Sequence, residues 1–89
     1  MTDDRLRNAS EELRKASAAA EDAGIQRRLY DLSDRIAALA AADEAPSVDD
    51  LTQHLHALGD LRESTVGDVD DSVDAAIDAL RARREEREN

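Results

Sequence analysis

Residues 25–39 read IQRRLYDLSDRIAAL, and the placing of their apolar side chains decides the fold. Ile25, Leu29, Leu32, Ile36 and Leu39 recur at steps of four, three, four and three. That rhythm follows the 3.6-residue turn of an α-helix, whereas a strand would need strict alternation. The five side chains form one apolar stripe on a helix, and such a stripe must be covered. The helix is expected to run from about residue 25 to 42. There DEAPS at 43–47 breaks the chain, because proline disfavours helical backbone in the residue before it.

Upstream, Leu6, Ala9, Leu13, Ala16, Ala20 and Ala23 repeat the same spacing and predict a helix over about 3–22. Thr2 is its expected cap, with Asp3 and Asp4 where the helix dipole favours negative charge. Gly24 suits the left-handed turn that closes a helix, so short a connection forcing the first two helices antiparallel. Downstream, SVDD at 47–50 resembles a capping box with Asp in place of Glu. It opens a third helix over about 48–64, whose stripe is Val48, Leu51, Leu55, Leu58 and Leu61. Gly67 falls just beyond it. Asp68 starts a fourth helix over about 69–87, with Val69, Val73, Ala76, Ile77 and Leu80 on its apolar side. The triplet VDD occurs at 48–50 and again at 69–71. Beyond it the registers diverge, Leu51 aligning with Ser72 and Leu58 with Ala79, so these are two similar helix starts and not a duplicated unit.

Four stripes of this kind predict an all-α chain: one domain over residues 1–89, folded as a compact antiparallel four-helix bundle. The alternative is a three-helix bundle with a peripheral helix. Seventeen Leu, Ile and Val residues make a thin core, which alanine on the first two helices offsets by letting backbones approach closely. A chain this short stands to gain from a second copy or from salt.

Twenty-two acids face twelve bases, for a net charge of −10. Eleven of the bases are arginine, Lys15 being the exception, and fourteen of the acids are aspartate. In molar salt the Debye length falls to ~3 Å, so crowded carboxylates hardly repel one another. Short acidic side chains then hold water at the surface, whereas long lysine stems would expose apolar area. The composition therefore points to adaptation to brine. No cysteine is present, which removes disulfides and thiolate metal ligation. MTDDRLRNASEEL at the start holds no apolar run, so neither a signal peptide nor a membrane span is expected, and a cytoplasmic location is.

Both histidines lie in LTQHLHALGDL at 51–61. Successive helical residues differ by 100°, so residues two apart point to nearly opposite sides and this pair cannot chelate one metal. His54 falls between Leu58 and Leu61 on the apolar arc. It reads either as a tunable site or as a core-boundary ring with a backbone or carboxylate partner. His56 shares the polar side with Asp60 and Glu63, a weak metal set with one good nitrogen where zinc wants three or four firm ligands. Asp68, Asp70, Asp71 and Asp74 hint at a calcium loop, but Val73 stands where glycine is needed and Ala79 where the bidentate glutamate is needed. Tyr30, the one aromatic residue, is an interaction candidate beside the stripe. Tail arginines 81, 83, 84 and 87 alternate with Glu85, Glu86 and Glu88 in a chain at −10, which argues against nucleic acid. No phosphate loop, nucleophile elbow or catalytic dyad is found, so no enzyme and no cofactor is expected.

LRKAS at 13–17, RLYDLSD at 28–34, Pro46 and LTQHLHAL at 51–58 resemble a family of small acidic haloarchaeal proteins that is a domain of unknown function. Relatives carry two histidines after the proline. Here His54 matches the second, and Val48 stands at the first. The resemblance implies a haloarchaeal cytoplasm and no assigned activity. The expected role is a non-enzymatic interaction module that self-associates. The alternative is a small metal- or ligand-responsive regulator using His54, or His56 with Asp60 and Glu63.

Overall fold

Each of the four apolar stripes lies on a helix. The computed structural model describes residues 3–88, and the side chains of residues 3–86. Helix α1 spans Asp4–Ala19, α2 Ala23–Ala41, α3 Val48–Arg62 and α4 Gly67–Glu88. The buried interior takes Leu6, Ala9, Leu13 and Ala16 from α1 and Leu29, Leu32, Ile36 and Ala40 from α2. From α3 come Leu51, Leu55, Leu58 and Leu61, and from α4 Val73, Ala76, Ile77 and Leu80. Expected stripe ends fare differently: Ile25, Leu39, Val48 and Val69 are half-buried, and Ala23 is exposed.

The helix ends correct several expectations. Helix α1 stops at Ala19 instead of residue 22, because Asp22 is extended (φ −82°, ψ 123°) and its carboxylate accepts the Ile25 N–H at 3.0 Å. A residue serving as N-cap must leave helical backbone, so α1 has to end first. Gly24 does not close α1 in a left-handed turn; it lies in the first turn of α2, and the one positive-φ glycine is Gly67 at 64°. Absence of a side chain at Gly24 matters instead for space, since a Cβ there would come within 3.1 Å of the Asp22 carboxylate. Thr2 lies outside the described residues, and Asp3 caps α1 by accepting from the Leu6 N–H at 3.2 Å. Ser47 caps α3 as expected, accepting from the Asp50 N–H at 3.0 Å. Helix α3 ends at Arg62, two residues early, and α4 begins at Gly67.

Three cross-links fix how α1 meets α2. The Asp3 N–H donates to the Ala40 carbonyl at 3.2 Å, and the Ser10 hydroxyl to the Ser33 carbonyl at 2.9 Å. The Ser17 hydroxyl donates to the Gln26 carbonyl at 3.0 Å. Each step of seven along α1 matches seven back along α2, the signature of antiparallel helices sharing a heptad register. Buried Ser10, Ser17 and Ser33, with Ala9, Ala16 and Ala40, are small enough for the backbones to come close. Each hydroxyl finds a carbonyl, so burial leaves no orphaned polar group.

Helix α4 lies antiparallel on the other side of α1, joined by Arg83 to Asp3 and Arg5 to Glu86. Helix α3 then lies antiparallel on α4, with Arg62 reaching Asp74 at 2.8 Å and the Arg84 guanidinium 3.5 Å from the Thr52 hydroxyl. The close helix pairs run α2–α1–α4–α3, so α1 and α4 form the central pair. The radius of gyration is 12.1 Å, against about 12 Å for a well-packed chain of this length. No helix among the described residues is long and apolar enough to cross a membrane.

Candidate functional groove between the third and fourth helices

A shallow groove of about 820 Å³ runs between α3 and α4. Its floor is apolar, with Leu55 and Ile77 nearly closed off from solvent. Polar side chains line its walls: His56, Asp60, Arg62 and Glu63 on or beside α3, and Asp70, Arg81 and Arg84 on α4. Because the helices are antiparallel, the lining is segregated along the axis. His56, Arg81 and Arg84 lie toward the start of α3, where Arg84 meets Thr52. Asp60, Glu63 and Asp70 lie toward its end, where Arg62 is held between Asp74 at 2.8 Å and Asp70 at 3.8 Å. The Thr65 hydroxyl, 3.0 Å from both the Arg62 carbonyl and the Asp70 carboxylate, ties the turn to the start of α4.

Gly59 sits midway along this groove. It has ordinary helical backbone, and a Cβ built on it would meet nothing within 4 Å. Glycine inside a helix costs about 0.5–1 kcal/mol relative to alanine. Neither a turn, nor a steric clash, nor a left-handed φ requires it here. Gly59→Ala is therefore expected to raise stability by about 0.5–1 kcal/mol, read as a higher urea midpoint at unchanged slope. An unchanged or lower midpoint would show that the bare backbone has a structural task.

The sequence candidates fall on different surfaces. His54 is half-buried, and its Nδ1 lies 2.7 Å from the Asp50 carbonyl. A carbonyl only accepts, so Nδ1 carries the proton and donates within its own helix. The ring thus has a backbone partner at the edge of the core, and among the described residues no side chain is hydrogen-bonded to it. His56 is exposed and lines the groove with Asp60 and Glu63, as their shared stripe requires. Among the described residues no three His, Asp or Glu side chains gather as a metal ion would need. Tyr30 is 50% exposed on α2, away from the groove. Sequence reasoning missed Gly59, Arg81 and Arg84 as groove residues, and only the spacing of Gly59 after Leu55 offered a local signal.

An all-α up-and-down bundle with a polar-walled groove between α3 and α4 is the class that fold and site define. The chain belongs to a family of unknown function, DUF7553, whose model matches residues 1–86. No curated protein and no solved structure matches it.

Proposed function

We propose that the chain is a non-enzymatic interaction module that receives a partner in the α3–α4 groove. Gly59 carries this reading. A bare helix backbone beside the groove is a stability cost inside the free molecule and leaves room there for a second surface. The flanking arginines supply side chains that dominate many interface energies once desolvated. A single photo-crosslinking group at Gly59→Cys, introduced into a chain without native cysteine, tests it in cells. Enrichment of a defined adduct over the same group at Asp31→Cys on α2 is expected; equal labelling from both positions would end the reading.

We also propose that this module works in concentrated salt. The net charge of −10 supports it, because self-repulsion opposes the folded state until counterions screen it. Raising potassium chloride from about 0.1 M to about 1 M shortens the Debye length from ~10 Å to ~3 Å. The thermal midpoint is expected to rise across that range, and a flat or falling midpoint would refute salt adaptation.

A further inference from the structure

We propose that the occupant of the α3–α4 groove is a second copy of the same chain, docked antiparallel about a two-fold axis near Gly59 and Ile77. The inference rests on the reading that this groove takes a partner, and the pattern of its charges names which one.

On α4, Asp70 and Arg84 lie seven residues to either side of Ile77, or roughly 10 Å each way at 1.5 Å per residue. On α3, His56 and Glu63 lie to either side of Gly59. A half-turn about the middle of the groove therefore carries the cationic end of one copy onto the acidic end of the other. Arg81 and Arg84 come to face Glu63 and Asp60 across the axis, and the same pairs form twice. Isologous contacts demand this self-complementarity.

Unspent charge supports the same arrangement. Among the described residues Arg81, Asp60 and Glu63 enter no ion pair, and the single polar contact recorded for Arg84 is its long one to the Thr52 hydroxyl. Arg62, by contrast, is already neutralised by Asp70 and Asp74 within its own chain. Two molecules at −10 repel over most of their surfaces. The groove lining balances Arg62, Arg81 and Arg84 against Asp60, Glu63 and Asp70, so copies can meet there without adding to that repulsion. At the axis Gly59 has no side chain to hold the two α3 helices apart.

Charge exchange followed by sedimentation equilibrium tests this on the full chain, in about 1 M potassium chloride where contact pairs outlast long-range repulsion. Wild type is expected to show a concentration-dependent dimer. Arg81→Glu with Arg84→Glu, and separately Asp60→Arg with Glu63→Arg, should each weaken self-association by roughly tenfold or more while helical circular dichroism is kept. Mixing the two variants should restore a heterodimer, a rescue that mere misfolding cannot mimic. Wild type that stays monomeric to millimolar concentration, or variants that do not rescue one another, would overturn self-docking. If that monomer still yields a defined adduct with another protein from Gly59→Cys, the dimer falls while the interaction module stands; with no adduct, both fall.

Discussion

Leu13→Ala is expected to cost about 3–5 kcal/mol, the upper part of the range for emptying a fully closed leucine site. Leu13 has no exposed surface, and its helix is the one that both α2 and α4 pack against. A void there is bordered by rigid neighbours on two interfaces, so it collapses poorly and the cavity adds to the lost transfer energy. An 89-residue chain holds about 4–13 kcal/mol in total, so the variant should lose a large share of its stability. Leu39→Ala provides the comparison. Leu39 is half-buried at the rim, and water can fill the space it leaves, so about 1 kcal/mol is expected. Urea titration with both variants decides the matter. Equal costs at the two sites would mean that α1 is not the centre of the packing.

Asp3→Ala is expected to destabilise by about 2–4 kcal/mol, although residue 3 precedes the first helix. One carboxylate oxygen caps α1 at the Leu6 N–H, and the other accepts from Nε of Arg83 at the far end of α4. Its backbone N–H donates to the Ala40 carbonyl of α2. Three helices thus meet at one residue. Side-chain exposure of 19% for Asp3 and 15% for Arg83 makes this the most enclosed ion pair among the described residues, so removing one member strands the other with little water. The cap alone accounts for about 1 kcal/mol. Asp3→Asn separates the effects, since asparagine caps as well as aspartate but brings no charge. It should retain the capping share and lose the pairing share. A double-mutant cycle with Arg83→Met isolates the coupling between them. Coupling near zero would show that the pair is incidental to the fold.

These two sites differ in how far the sequence announces them. Leu13 is legible at once, because Leu6, Ala9, Leu13 and Ala16 keep helical spacing and each is buried. Ser47 is legible for a similar reason: a cap satisfies an N–H three residues ahead, so its signal is local. Asp3 and Arg83 lie 80 residues apart, and nothing near either one names the other. The buried serines fall between. Ser10 and Ser17 sit four residues after Leu6 and Leu13, at the edge of the apolar arc, yet only the facing carbonyls of Ser33 and Gln26 explain why hydroxyls are tolerated there.

By itself the sequence determined four amphipathic helices, about half of their limits, the antiparallel first pair and the opposite placing of His54 and His56. Those properties follow from neighbours within a turn or two, where 3.6-residue geometry and capping act. Only the tertiary structure decided that α1 and α4 form the central pair, that Asp3 ties three helices together, and that Gly59 lines one groove with Leu55 and Ile77. Four apolar stripes admit more than one packing order. A groove is the space left when every helix has been placed, so its position belongs to the assembled molecule and to no single stretch of chain.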